Sequence, residues 1–557
     1  MTRRPRFTTA LIAGLASSSL LLAGCTGTED TGDSVSSDGM ISHITYAGIG
    51  GGSAPQANYN PFLDTSKLVA TNFVYESLYQ IEQNSCKEVP WLAKSYSWQD
   101  PKTLVFTLRE GVQWNDGKPL TAQDVAFTFN MIKKYDVLDT KAVWPLLKSV
   151  KATGDNQVTF SFKKPGASGF TMISSIPVVP EHIWSKVKDP TKFTNAKNPV
   201  GTGPMKVKSF NPQQVVTERN PRYWQADKVK VKEVRFKANN GSPEIEQLKM
   251  GRGEYDTNGM FIPNVKKAYV DKDPKHHHYW YAPGMVMSVY MNLTEAPFDD
   301  VDFRRALTSA FDRDTVARKA QLGYVKTASQ TSLVLPGQQD WLPAGIKNEG
   351  RIPFDPKAAD QALTKAGYKK DSQGRRLGKD GKPISFKFKT PTAYTDWVAA
   401  AEILVKNLKA LGLQVELDRT TPEAHDEDRA MGRYDMMFGA HGGDCNLSNG
   451  FGHPLGSEGT APIGKHAFSN EVRWKDKKTD ALLADLRSAT TKADQKKAVA
   501  GLSEIMMDEV PMIPIWYGAK WFQYDTTRAV GWPNAKNPYA AGGDNLIILT
   551  HLRPAED

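Results

Sequence analysis

The run Leu108-Arg109-Glu110-Gly111-Val112-Gln113-Trp114-Asn115-Asp116-Gly117-Lys118-Pro119-Leu120-Thr121-Ala122-Gln123-Asp124-Val125 packs two kinds of structural punctuation into a short span. Gly111 and the Asp116-Gly117 pair suit tight turns, because glycine supplies backbone angles closed to other residues. Trp114 between them suits packing. Thr121 suits a helix N-cap and Asp124 suits the first turn, where a negative charge meets the positive end of the helix dipole. The spacing therefore predicts a strand over 103–108, turns, and a helix over 121–134, with a further strand over 157–162.

The same grammar extends outward. Residues 41–47 alternate like a strand. In the second half, strands are predicted over 287–293, 384–389 and 414–418, and helices over 301–310, 356–366 and 396–411. Gly367 and Gly412 stop the last two helices, as glycine does at helix C-termini. Alternating strands and helices without a repeat period point to α/β lobes with largely parallel sheets. Ligands of such folds bind beyond strand ends or between domains.

The N-terminus carries an address. Arg3, Arg4 and Arg6 precede an apolar stretch from Ala10 to Leu22, and Leu22-Ala23-Gly24-Cys25 follows. A basic start, a short apolar core and small residues read as a secretory signal over 1–24. Leu-Ala-Gly-Cys resembles the lipobox of bacterial lipoproteins, which places a lipid on Cys25 and the protein on the extracytoplasmic face of the cell membrane. Residues 25–39, mostly Gly, Ser, Thr and Asp, read as a flexible tether.

The 557-residue chain is long enough for more than one core, and 24% of its residues are charged. Its net charge is +10. The bases are interspersed with acids, whereas a nucleic-acid binder concentrates them on one face, so no nucleic-acid partner is expected. Of three cysteines, Cys86 and Cys445 remain once Cys25 is lipidated, and their separation suggests two isolated thiols.

Motifs for catalysis and cofactors fail on inspection. Gly48-Ile49-Gly50-Gly51-Gly52-Ser53 follows a strand, but Pro55, Asn58 and Asn60-Pro61 leave no helix start for a pyrophosphate. Gly459-Thr460-Ala461-Pro462-Ile463-Gly464-Lys465-His466 lacks the Ser/Thr that would hold magnesium. His276-His277-His278 reads as a polar surface run, since adjacent residues of an extended segment face alternate ways. Asp371-Ser372-Gln373-Gly374 and Lys379-Asp380-Gly381-Lys382 read as two hairpin turns. No GxSxG or HExxH occurs. Neither enzyme activity, nor a metal, nor a cofactor is expected. Aromatic residues remain: Tyr394 and Trp397 before a long helix, and Trp516 and Tyr517 after Pro514, each a core residue or a stacking platform for a ligand.

Several stretches together resemble the family 5 extracellular solute-binding proteins, the oligopeptide, dipeptide and nickel binders of ABC importers. They are Tyr75-Glu76-Ser77-Leu78, Pro90-Trp91-Leu92-Ala93, the opening run, Gly201-Thr202-Gly203-Pro204, and Asn220-Pro221-Arg222-Tyr223-Trp224. Tyr290-Met291-Asn292-Leu293, Pro297-Phe298-Asp299-Asp300, Phe303-Arg304-Arg305-Ala306-Leu307 and Pro511-Met512-Ile513-Pro514-Ile515-Trp516 complete the set. The resemblance implies the type II periplasmic-binding-protein fold: two α/β lobes with a hinge and an extra subdomain in the first lobe. The first lobe would comprise 40–72, 199–283 and 512–557, the subdomain 73–198, and the second lobe 284–511. The chain would cross the hinge near 281–289 and 511–517. The signature residues themselves read as structural.

In oligopeptide binders of the family, an aspartate in a Trp-x-x-Asp pattern holds the peptide amino group. Here His441-Gly442-Gly443-Asp444 occupies the corresponding place, with His for Trp, which nominates His441 and Asp444. Gly531-Trp532-Pro533-Asn534, Asn537-Pro538-Tyr539 and the loops at 48–60, with Asn58 and Asn60, and at 442–452 look like the oligosaccharide-binding branch. The implied function is capture of an oligopeptide, or alternatively an oligosaccharide, by a monomer that delivers it to an ABC permease. An extracellular hydrolase, for which no converging catalytic pair is found, and a sensor that uses the same fold without transport are the less favoured readings.

Overall fold

The computed structural model describes residues 38–49, 56–63, 69–166, 169–238, 242–443, 445–489 and 491–555. Three sheets carry the architecture. The first has seven strands in the order His277–Tyr279, Gln523–Asp525, Thr257–Asn258, Ile41–Ile49, Val231–Ala238, Gln214–Arg219, Met205–Asn211. The second has five, in the order Gln414–Thr420, Ser385–Pro391, Met436–His441, Ala282–Met291, Met512–Lys520. The third is a four-stranded sheet of Ala93–Asp100, Thr103–Leu108, Gln157–Phe162 and Leu147–Ala152.

The sheets are less parallel than the alternation of elements suggested. In the first sheet only Ile41–Ile49 makes parallel pairs, with Val231–Ala238 and Thr257–Asn258. In the second, Ser385–Pro391 is parallel to both neighbours, and Ala282–Met291 is antiparallel to both of its own. The four-stranded sheet is wholly antiparallel. Strand direction depends on which distant segment pairs, and nothing local in a strand records it.

The opening run folds as read. Thr103–Leu108 buries every second residue, and Leu104 and Phe106 face Phe160 and Val158 across the ladder. Gly111 and Gly117 take φ of +75° and +91°, and Trp114 is fully buried between them. The helix Ala122–Lys134 starts at Thr121, whose N–H donates to Asp124 Oδ2 at 2.9 Å. The two hairpin turns also form, with Gly374 and Gly381 at φ of +77° and +79° and bridges Lys370↔Arg376 and Leu377↔Pro383.

Signature residues hold the scaffold together. A Cβ on Gly201 would lie 1.9 Å from the Val74 carbonyl oxygen, so that backbone-to-backbone approach demands glycine. Arg304 is buried and spends its guanidinium on the carbonyls of Phe298, Asp299, Glu509 and Val510, at 2.7 to 3.0 Å. It thereby fixes the helix Val301–Thr308 to the segment that leads into Met512–Lys520.

Three expectations are corrected. The chain passes between the first and second sheets at 280–281 and 521–522. The segments 281–289 and 511–517 are thus mostly strand of the second sheet, and Met512–Lys520 pairs there with Ala282–Met291 rather than in the first lobe. Cys86 and Cys445 are joined in a disulfide; folding brings together what sequence distance kept apart. His277 is buried rather than on the surface: its ring stacks on Tyr269 at 4.2 Å, Nδ1 donates to the Tyr269 carbonyl, and Nε2 lies 3.5 Å from Asp525. Among the described residues no helix is long and apolar enough to cross a membrane.

Candidate functional site

A cavity of about 810 Å³ opens where the three units meet. Asn72, Asp544 and Asn545 line it beside the first sheet. Glu76, Gln80 and Lys141 line it from the subdomain side, and Met285, Gly442, Gly443 and Lys520 from the second sheet. Ligand cavities run from roughly 300 to 1,000 Å³, so the volume suits a ligand of several residues or rings.

Glu76 lines this cavity and is 1% exposed. Its Oε1 accepts from the indole N–H of Trp91 at 2.5 Å and of Trp224 at 3.2 Å. The two indoles meet edge to face at 5.7 Å, and Arg109 lies over the Trp224 ring at 4.4 Å. Three signature segments thus converge on one carboxylate, and the opening run reaches them through Arg109. Burial pushes the Glu76 carboxyl up to about 7, against the indole hydrogen bonds that pull it down.

Charge of both signs lines the cavity. Asp544 Oδ2 accepts from the Ala541 N–H at 2.7 Å and the Gln83 N–H at 3.1 Å, and burial pushes its carboxyl up to about 6. Lys520 Nζ donates to the Gln83 carbonyl, and burial lowers its pKa. Lys141 Nζ donates to Ser175 Oγ at 2.6 Å. Amides, acids and amines at a half-open cavity are equipment for binding a polar, extended molecule. Among the described residues no cluster of three or more His, Cys, Asp or Glu side chains is arranged to hold a metal.

The residues nominated from sequence lie mostly elsewhere. Asn60 is fully buried; its Nδ2 donates to the carbonyls of Pro190 and Phe193 at 3.0 and 2.8 Å. Asn58 Oδ1 accepts from the Asn60 N–H. Both asparagines shape a loop rather than face the cavity. Trp516 and Tyr517 are core residues of the second sheet: Trp516 packs on Phe438 at 5.2 Å, and Tyr517 Oη donates to the Leu333 carbonyl. Trp397 packs edge-on against Phe438 and His425, with Tyr394 outside it and partly exposed. His441 is buried with Nε2 at 2.9 Å from Ser332 Oγ, and desolvation pushes its pKa down to about 3, so it stays neutral. Asp444 and Cys25 lie outside the described residues. Trp532 is a core residue too, its Nε1 bonded to the carbonyls of Asp525 and Ala529.

The cavity is instead built from Glu76, Gln80, Lys141, Lys520 and Asp544, which sequence reasoning did not single out. Its only legible signals were Tyr75-Glu76-Ser77, read as structural, and the Gly442-Gly443 pair beside the nominated His441.

Comparison with known proteins gives the family and the fold. Residues 87–462 match the family described as "Bacterial extracellular solute-binding proteins, family 5 Middle". The chain is 25% identical over 500 residues to the oligopeptide-binding protein OppA of Bacillus subtilis, spanning 84% of this chain and 86% of OppA. Among solved structures, the periplasmic oligopeptide-binding protein of a Thermotoga maritima oligopeptide ABC transporter superposes with a TM-score of 0.81. It has 26% identity and covers 92% of this chain and 99% of its own. The mannohexaose-bound structure of the T. maritima oligopeptide-binding protein superposes with a TM-score of 0.73, at the same identity and coverage. The fold is therefore that of the type II periplasmic binding proteins, and the chain belongs to the bacterial extracellular solute-binding proteins of family 5.

Proposed function

We propose that this protein captures an oligopeptide in the cleft and hands it, unmodified, to the permease of an ABC importer. The observation that carries the reading is the cavity of about 810 Å³ between units joined by two chain crossings, with acids and amines on its walls. A zwitterionic, extended ligand needs both signs of charge and several amide partners, and Glu76, Asp544, Lys141, Lys520, Gln80 and Asn72 offer them. The similarity to OppA supports the ligand class. Asp444 falls between Gly443 and Cys445, both of which line the cavity, and its nomination as the ammonium partner stands as part of this proposal.

A second reading is oligosaccharide capture. The observation that favours it is the T. maritima oligopeptide-binding protein, which has been seen with mannohexaose. The absence of described aromatic platforms other than Tyr75 and Tyr79 on the cavity wall weighs against it.

Thermal denaturation with panels of tri- to hexapeptides and of manno- and cello-oligosaccharides tests both. A ligand at hundredfold excess over its Kd should stabilise the protein by about 2.7 kcal/mol. Shifts with sugars alone would replace the peptide reading; turnover of any panel member would remove the capture reading altogether.

The anchor belongs to the same proposal: a signal over 1–24, a lipid on Cys25, and a tether over 25–39 holding a monomer at the outer face of the membrane. Its last part, with the bounds moved to the two crossings, is the grouping of 40–72, 199–280 and the chain from 522 onward in one lobe, 73–198 in a subdomain and 281–521 in the other lobe. Cys25→Ser should move the protein from the membrane fraction to the medium with ligand shifts unchanged; retention on the membrane would refute lipidation.

A further inference from the structure

The Cys86–Cys445 disulfide joins residues 359 apart in sequence, and its position is more telling than its existence. Cys86 sits at the tip of the hairpin formed by Tyr79–Ile81 and Glu88–Pro90, on the subdomain side of the cleft. Cys445 follows the strand Met436–His441 of the second sheet. The bond therefore spans the two bodies that the chain itself connects only at 280–281 and 521–522.

Both sides are shaped for this contact. On the hairpin, the Glu82 carboxylate accepts from the N–H groups of Asn84 and Ser85, each at 2.7 Å, and the Glu82 N–H donates to the Lys87 carbonyl. This clamp sets the tip, where Cys86 takes a left-handed φ of 58°. On the other side, Gly442 and Gly443 take φ of +68° and +74°. A Cβ on Gly443 would lie 1.8 Å from the Gly284 carbonyl oxygen, and one on Gly337 would lie 2.1 Å from that of Asn84. The Gly443 approach packs the second lobe against itself beside Cys445, and at Gly337 the second lobe meets the hairpin backbone to backbone, where Lys520 Nζ adds a bond to the Gln83 carbonyl. The bridge also partitions the space between the lobes. Ile81, Thr171 and Cys445 line both the main cavity and a second one of about 450 Å³, on whose wall Cys86 lies.

We propose that the Cys86–Cys445 disulfide is a thiol-operated latch that holds the lobes closed over the main cavity, the reduced protein being the form that opens to exchange ligand. Two adjacent crossings leave a hinge rotation free, and a third covalent link removes it. Both cysteines are only half-buried, so a partner can reach them. A thiolate of an extracytoplasmic dithiol attacks one sulfur and expels the other cysteine as a thiolate, forming a mixed disulfide. The second thiol of the dithiol then displaces the remaining cysteine and leaves as a disulfide, so two electrons pass from the dithiol to the latch. The reverse exchange with a disulfide closes it.

The inference rests on the cleft being the capture site, yet its test needs no ligand. The full chain, oxidised, is compared with the same protein reduced by a phosphine and with Cys86→Ser and Cys445→Ser. Small-angle X-ray scattering and amide hydrogen exchange are read, and alkylation mapping scores the redox state. Reduction should enlarge the radius of gyration and speed exchange over 79–90 and 442–446 by about tenfold or more, as local opening no longer requires the bond to break. Both variants should match the reduced form and ignore the phosphine. Three results would overturn the latch: superposable scattering and exchange in the two redox states, loss of the cooperative melt on reduction, or full alkylation of both cysteines without reductant in protein taken from the cell surface. If ligand panels still shift melting while scattering stays unchanged, the latch falls and capture stands; if reduction opens the protein but no panel member binds, the reverse holds.

Discussion

At the scale of single residues, Glu76 shows how a signature can be visible while its purpose is not. The segments around Glu76, Trp91 and Trp224 were evident in the sequence, but their convergence on one buried carboxylate brings together residues up to 148 positions apart. The carboxyl is raised from 4.5 to about 7 by burial. A carboxyl with a raised folded-state pKa binds more protons in the native state, so native stability falls as pH rises between about 4.5 and 7. Glu76→Gln removes this titration while retaining an oxygen for the two indoles. The variant should gain on the wild type by roughly 2–4 kcal/mol on going from pH 4.5 to pH 8. Urea denaturation at the two pH values checks this, and a difference between the proteins that does not change with pH would place the Glu76 titration outside this range. His441 works the other way: buried and neutral, with its pKa pushed down to about 3, it contributes stability that is lost as pH falls below its unfolded value of 6.5. The aromatic nominations failed for a related reason. Trp516 and Tyr517 follow a proline on a strand, as a ligand platform would, but both faces of the second sheet are covered, so each ring meets core.

At the scale of elements, the helix Ala122–Lys134 and the strands around it were legible because their signals are local: alternation, a cap, and glycines at positive φ. Short strands such as Thr257–Asn258 and His277–Tyr279 were not, since two or three residues carry no periodicity; they exist through pairing with distant segments, both with Gln523–Asp525 and the first also with Ile41–Ile49. Asp124 joins the local and the distant. One carboxylate oxygen accepts from the Thr121 N–H and hydroxyl at 2.9 and 3.0 Å, and the other accepts from the Glu181 N–H at 2.9 Å. Asp124 thus caps its own helix and also docks the start of the helix Glu181–Trp184. Asp124→Ala leaves three donors without an acceptor in a site where the carboxylate is 6% exposed. The expected cost is about 2–4 kcal/mol, with Asp124→Asn losing less because its remaining oxygen still accepts. Guanidinium denaturation curves of the two variants check the order, and equal losses would show that packing rather than these hydrogen bonds sets the cost.

At the scale of the whole molecule, the question is how tightly the two chain crossings couple the lobes. The crossing is held by Gln523, which is fully buried in the first sheet. Its Nε2 donates to Tyr281 Oη at 2.7 Å and to the Met260 carbonyl at 2.8 Å, and its Oε1 accepts from the Met260 N–H at 3.3 Å. Beside it Tyr281 meets Trp521 edge to face at 4.7 Å, and Phe261 meets the same indole at 5.2 Å. Amide and aromatic cluster together bind both crossing strands to the first lobe. Gln523→Ala would orphan the N–H and carbonyl of Met260 and open a cavity beside Tyr281, at a cost of roughly 2–4 kcal/mol. The form of the unfolding curve reports the coupling. Lobes that unfold together lose midpoint with an unchanged slope against urea, whereas lobes set free of each other show a shallower slope or two transitions. With the Cys86–Cys445 bond intact the first pattern is expected in Gln523→Ala, because a second tie still couples the lobes. With the bond reduced, the variant should show the second pattern while the reduced wild type keeps one transition. Identical curves for reduced variant and reduced wild type would mean that the crossing does not depend on Gln523 for its rigidity.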